Sequence, residues 1–68
     1  MTPREIRRAA GRSQIVVAVA ARVSEPTLRL YEANPGAVTM ERRARLDAVY
    51  AALHEETRSG AIRALPGP

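Results

Sequence analysis

The 68-residue chain is long enough for one small domain, which buries only about 60% of the surface that its unfolded chain exposes. Its basic residues are eleven arginines, and against seven carboxylates they give a net charge of +4, which indicates either a polyanionic partner or a solvated, arginine-rich surface. The lack of cysteine and the single histidine exclude a disulfide framework and a zinc site, and the longest apolar run, residues 15–21, is too short for a membrane span, which takes about 20 residues.

The first predicted helix begins near the amino terminus and ends at a glycine. Thr2 is a suitable N-cap, Pro3 suits the first helical position, and Glu5, three residues after the cap, completes a capping box. Gly11 is the residue type that most readily adopts the left-handed conformation found after a last helical turn. We therefore predict a helix between these two signals.

Two short helices, joined at residues 22–24, are predicted next. Ser13 is the expected N-cap of the second helix and Ser24 that of the third. The third helix should end before Pro35, because proline restricts the conformation of the residue before it. The second helix is apolar nearly all round, which is typical of a helix buried on both faces. One side holds Val17, Ala18 and Ala21, and the other holds Ile15, Val16 and Val19.

A fourth helix is predicted from Thr39, a plausible cap, to about Thr57. Four apolar residues lie at helical spacing along it: Leu46, Val49, Tyr50 and Leu53. Ser59 and Gly60 should end it and leave residues 58–68 as a tail that is a short docked turn or disordered. The elements predict an all-α fold, a compact bundle of four helices, or five if the tail forms one.

Residues at regular spacing run through the first three predicted helices and the turn between the second and the third. The residues that carry it are Arg7, Ala10, Gly11, Ser13, Gln14, Ala18, Val23, Ser24, Leu28, Tyr31 and Glu32. With the final apolar helix, residues 4–53 resemble the helix-turn-helix domain of the phage repressor and Cro (XRE-type) family. The resemblance implies a lambda-repressor-like domain over residues 1–57. It also implies an Arg7–Glu32 ion pair, with two unrelated surface charges as the alternative.

The same resemblance implies a DNA-binding transcriptional regulator, most simply a repressor, that acts as a homodimer. Helix 25–33 would enter the major groove of an operator with two half-sites. Gln14 would hydrogen-bond a phosphate, and Arg29 would contact a base edge or a phosphate. The implied DNA-binding positions, with two flanking arginines as phosphate contacts, are Gln14, Ser24, Glu25, Thr27, Arg29, Arg12 and Arg8. For Gln14 and Arg29 a merely solvated polar role is the alternative.

Three features depart from the family pattern. Arg22 holds a turn position that is usually glycine, so either the arginine adopts a left-handed conformation or the turn rearranges. Three of the family's base-reading positions hold Glu25, Pro26 and Leu30. Glu25 offers a carboxylate, Pro26 offers no hydrogen-bond donor and Leu30 offers only an apolar contact. An apolar surface is also expected at Ile15, Val16, Val19 and Leu30, covered either by a partner or by Ile62 and Leu65 of the tail. A protein-interaction or self-assembly module is therefore the alternative function.

Other classes of function are not expected. Ser13, Ser24, Ser59 and His54 lack the third, orienting group that a nucleophile and base require, so the chain is predicted not to be an enzyme. The amino terminus has no apolar stretch typical of a secretory signal, which favours a cytoplasmic protein. We expect double-stranded DNA, a second copy and, in the alternative, another protein as partners, with no membrane, small-molecule ligand, metal or cofactor.

Overall fold

The computed structural model describes residues 1–64, with side chains up to Ser59, and this part of the chain is all-helical. Helix α1 covers Pro3–Ala9, α2 Gln14–Ala21, α3 Glu25–Ala33 and α4 Met40–Ala64, and a short 3₁₀ helix covers Pro35–Ala37. Helices α1 and α2 pack against α4, and α2 also packs against α3. The prediction of a compact, all-α, four-helix fold is confirmed for these residues.

Each of the three short helices begins at its predicted cap. The Thr2 hydroxyl accepts the Glu5 N–H at 3.2 Å, and the Glu5 carboxylate accepts the Thr2 N–H at 2.7 Å, which completes the capping box. Ser13 and Ser24 each accept a backbone N–H from the residue three positions on, at 3.2 and 3.3 Å. These bonds satisfy amides that have no partner within a helix.

Helices α1 and α2 end in the same backbone geometry. Gly11 has φ 69° and Arg22 has φ 58°, both in the left-handed region. The next residue along donates its N–H back into the helix in each case, from Arg12 to the Arg7 carbonyl at 3.1 Å and from Val23 to the Ala18 carbonyl at 3.0 Å. This is the Schellman motif. The left-handed arginine is thus confirmed, at a cost of roughly 1–2 kcal/mol that glycine avoids.

The end of α2 is also held by a side chain from α4. Arg45 donates from Nε to the Ala21 carbonyl at 3.0 Å and from Nη2 to the Arg22 carbonyl at 3.3 Å. A cation at a helix C-terminus satisfies unpaired carbonyls and interacts favourably with the helix dipole. Arg45 therefore fixes the angle between α2 and α4 where the chain turns into α3.

The core lies between the inner sides of α2, α3 and α4. Leu28 of α3 and Leu46 of α4 are fully buried at its centre. Around them are buried Val17, Ala18, Ala21, Tyr31, Val38, Tyr50 and Leu53, with Ile6, Ala10, Val23 and Val49 partly buried. The four apolar residues predicted at helical spacing along α4 all face this core, with Val49 partly buried. In contrast, the expectation that α2 is buried on both faces is wrong, because its outer side is exposed.

Helix α4 is longer than predicted. It continues through Ser59 and Gly60 to Ala64, so the predicted end near Thr57 is wrong. A glycine inside a helix costs only about 1 kcal/mol relative to alanine, which is too little to stop a helix that is already several turns long. The Thr57 hydroxyl donates to the Leu53 and His54 carbonyls at 3.2 and 2.8 Å and so stays within the helix.

Two further points concern the carboxyl-terminal residues and membranes. The predicted docking of Ile62 and Leu65 over α2 lies outside the described side chains. Within residues 1–64 no helix combines the length and the apolar character needed to cross a membrane.

Candidate functional site

The carboxylate of Glu32 is the centre of a buried polar cluster. Arg7 of α1 donates to it through two nitrogens, from Nε to Oε2 at 2.6 Å and from Nη2 to Oε1 at 3.2 Å. The Tyr50 hydroxyl of α4 donates to Oε2 at 2.6 Å, and the Glu32 side chain is 0% exposed. The predicted Arg7–Glu32 pair is therefore confirmed, and it is buried and two-pronged, the strong form of this interaction.

Ionisation of the cluster follows from its burial and its bonds. Burial by itself raises the pKa of Glu32, but hydrogen bonds from Arg7, Tyr50 and Gln14 oppose it and hold the pKa below its usual value. The bond to Glu32 raises the pKa of Arg7. Burial, and then the bond to Glu32, raises the pKa of Tyr50. The cluster is thus an ionised pair with a neutral phenol at neutral pH.

Gln14 connects this interior cluster to the surface. Its side-chain amide donates to Glu32 Oε1 at 3.3 Å, and the residue is half-buried at the first position of α2. Arg4 approaches the same oxygen at 3.6 Å from the exposed side. Gln14 is therefore oriented by Glu32, and its contact with a phosphate stays a prediction.

Two tyrosines join α3 to α4 beside the cluster. The rings of Tyr31 and Tyr50 are tilted by 39° with centroids 5.1 Å apart, a favourable aromatic arrangement. The Tyr31 hydroxyl donates to Asp47 Oδ1 at 2.6 Å. Helix α3 is consequently held through both its apolar and its polar side chains on one side.

The other side of α3 carries the predicted DNA-binding residues. The hydroxyls of Ser24 and Thr27 are 2.9 Å apart and bonded to each other. Glu25 and Arg29 form a partly exposed i, i+4 ion pair with an oxygen–nitrogen distance of 3.5 Å. Ser24, Glu25 and Thr27 thus stand at the cap and in the first turn of α3, and Arg29, at the middle of the helix, is shared between Glu25 and solvent.

The predicted flanking arginines have different environments. Arg12 donates to the Ala10 carbonyl at 2.6 Å and to Glu56 at 2.7 Å, so it ties the α1–α2 connection to α4 rather than standing free as a phosphate contact. Arg8 is exposed and forms no ion pair with any residue up to Ser59. Of this predicted pair, Arg8 is the residue available to an anion.

The predicted apolar surface is exposed. Ile15, Val16 and Val19 of α2 are 57%, 51% and 73% exposed, and Leu30 of α3 is 44% exposed. Ala20 is exposed as well, so every exposed side chain of α2 is apolar. This outer side of α2, residues 15, 16, 19 and 20, is called the α2 face from here on.

Sequence reasoning missed the contacts that α4 makes with the rest of the molecule. The sequence predicts Tyr50 at helical spacing along α4 but not the bond from its hydroxyl to Glu32. It gives no sign that the Arg45 guanidinium caps α2. The one local signal was the pattern of the α4 helix, which places residues 46, 49, 50 and 53 on its inner side but does not say which polar groups they meet.

Comparisons of the chain with protein-family models, with curated proteins and with solved structures found no match. The residues and their geometry are therefore the basis for assigning a function.

Proposed function

We propose that α2, residues 22–24 and α3 form a helix-turn-helix, in a lambda-repressor-like domain, and that the chain is a small DNA-binding transcriptional regulator. The observation that carries this proposal is the division of α3 into two sides. Leu28, Tyr31 and Glu32 hold one side in the core, while Arg29, at the middle of the helix, is exposed on another side. A rigid helix with an exposed side that can reach base edges is what major-groove recognition requires.

Charge and size support the same function. The net charge of +4 favours association with a duplex, whose phosphates supply most of the affinity of non-specific binding. One small module contacts few base pairs, so the proposed regulator acts as a homodimer on half-sites about 34–36 Å apart, and most simply as a repressor. Glu25 lies beside Arg29 and restricts the bases that the exposed side of α3 can contact. Its carboxylate accepts a hydrogen bond from the amino group of cytosine but repels phosphate.

The experiment is a salt titration of binding to a random-sequence duplex, measured by fluorescence anisotropy. Affinity should fall steeply between about 50 and 200 mM salt, because each phosphate contact steepens the decline of log K with log salt by about 0.9. Arg29→Gln should weaken binding more than Arg58→Gln, which removes the same charge from the far end of α4. No measurable binding near 50 mM salt would refute the proposal.

Self-association is a second candidate function, favoured by the α2 face. Its exposed side chains are apolar, and α2 carries no charged residue. Two copies of a chain with charge +4 can therefore meet there without bringing like charges together. The occupant we infer for this face is a second copy of the chain, with another protein as the alternative outcome.

Sedimentation equilibrium in the absence of nucleic acid tests this candidate. The double substitution Val16→Ser and Val19→Ser should convert a dimer into a monomer, whereas Met40→Ser, at an equally exposed apolar side chain on α4, should not. A monomeric parent protein, or a dimer that survives the double substitution, would exclude self-association through this face.

A further inference from the structure

Arg22 stands where the backbone favours glycine. Among residues 1–64 it is the one non-glycine residue with a positive φ, at 58°. The equivalent position at the end of α1 is Gly11, with φ 69° and the same hydrogen-bond pattern. A non-glycine residue at a strained backbone position points to a use for its side chain.

The fold itself makes no use of the Arg22 guanidinium. The side chain is exposed and forms no ion pair or hydrogen bond with the described part of the chain, whereas its backbone carbonyl accepts a bond from Arg45. Arg7 and Arg12 differ in this respect, because their guanidinium groups bond carboxylates of α3 and α4. The use of Arg22 therefore lies outside the described part of the chain.

The surroundings of Arg22 are basic and border the helix proposed to enter the groove. Arg45 reaches the Arg22 carbonyl, and Arg42 lies one turn before Arg45 on the same side of α4. Arg42 is exposed and has no ion pair with a described residue, while Glu41 is engaged by Arg45 at 3.3 Å. Helix α3 begins only three residues after Arg22, at Glu25.

We propose that Arg22 binds a backbone phosphate of duplex DNA at the edge of the groove that α3 enters. This inference rests on the proposed DNA-binding function. A guanidinium matches a phosphate through two parallel N–H bonds, and such contacts position a protein on a duplex without reading its sequence. The strained turn is the means by which the chain presents this arginine next to the beginning of α3.

The test combines a stability measurement with a binding measurement on the same variants. Arg22→Gly should raise the urea midpoint, because it removes the strain. It should also lower affinity for a random duplex by about tenfold at 50 mM salt and reduce the salt slope by about 0.9, the value for one lost phosphate contact. Arg22→Lys should recover most of the slope, since it keeps a cation. Arg58→Gln is the control for the loss of one charge.

The outcomes separate this inference from the function on which it rests. An Arg22→Gly protein that is more stable than the parent, and whose binding depends less steeply on salt than that of Arg58→Gln, supports the phosphate contact. An Arg22→Gly slope equal to that of Arg58→Gln overturns the contact while DNA binding stands. If the parent protein shows no salt-dependent binding, the contact and the proposed function are both overturned.

Discussion

Helix α3 takes part in two arginine–glutamate pairs, which differ in burial, in distance and in the helices that they connect. Glu32 pairs with Arg7 across the molecule at 2.6 Å, with its side chain fully buried and a phenol as a further donor. Glu25 pairs with Arg29 one turn away on the same helix at 3.5 Å, with both side chains partly exposed. The inner pair connects α1 to α3, and its bond from Tyr50 connects both to α4. The outer pair connects two residues within α3.

The difference shows that one side of α3 is held in the fold while another is left in contact with solvent. Removing one member of a buried pair leaves an uncompensated charge and costs about 3–5 kcal/mol, although a well-packed apolar replacement of both is often tolerated. An exposed pair contributes only about 0–1 kcal/mol, because water screens it. The inner pair thus constrains the fold, while the outer pair can exchange partners at little cost.

The largest effect is expected from breaking the inner pair. Arg7→Ala and Glu32→Ala should each destabilise the protein by about 3–5 kcal/mol. That is a large part of the total, since 68 residues at about 0.05–0.15 kcal/mol each give about 3–10 kcal/mol. The double variant should lose about 1–3 kcal/mol less than the sum of the two, measured by urea unfolding. Strict additivity would contradict a direct interaction.

Acid should weaken the inner pair selectively. The folded-state pKa of Glu32 is lowered, so the carboxylate contributes stability above its unfolded pKa of about 4.3, and this contribution is lost as pH falls through the folded value. The unfolding free energy of the parent protein should therefore fall more steeply below about pH 4.3 than that of Glu32→Gln. Glu5, whose pKa is also lowered, is common to both proteins. Equal slopes would show that Glu32 does not titrate with folding.

A smaller effect is expected from the phenol of the inner cluster. Tyr50→Phe removes the donor to Glu32 and should cost about 1.5–3 kcal/mol, the usual value for a hydrogen bond to a charged group. Tyr31→Phe is the matched control, because it removes a bond to the exposed Asp47 and keeps the ring contact. It should cost less, because Asp47 is exposed and water can replace the lost donor, whereas the buried Oε2 of Glu32 would lose one of its two donors without a replacement. Thermal unfolding measures both losses. A loss for Tyr31→Phe that equals or exceeds that for Tyr50→Phe would mean that the burial of Glu32 is not the deciding factor.

Whether a contact could be predicted from the sequence depends on how far apart its two residues lie along the chain. The helix beginnings at Thr2, Ser13 and Ser24 were predictable, because a cap and the amide it accepts are three residues apart. The end of α1 at Gly11 follows from the same local reasoning. The end of α4 does not follow from local residue types. A single glycine destabilises a helix only slightly, and a helix that has already formed propagates past it.

Contacts between distant residues had no local signal. Arg12 meets Glu56 and Arg45 meets the end of α2 across separations of 44 and 24 residues. Nothing near either arginine distinguishes it from Arg8, which stays in solvent. The Arg7–Glu32 pair was expected only through the resemblance to a known family. For the α2 face, the helical pattern places Ile15, Val16 and Val19 on the side away from the core, so its exposed residues were predictable, whereas its occupant was not.

The smallest effect on stability, and the most informative one for function, is expected at the outer pair. Glu25→Gln should change the unfolding free energy by less than about 0.5 kcal/mol, since Glu25 and Arg29 are exposed neighbours on one helix. Under the proposed function the same substitution should strengthen binding to a random duplex, because it frees Arg29 and removes a carboxylate from the phosphates. One additional phosphate contact would steepen the salt slope by about 0.9. Glu55→Gln, which breaks the exposed Arg58 pair on α4, removes the same charge away from α3. Equal binding of these two variants would mean that the outer pair does not face DNA.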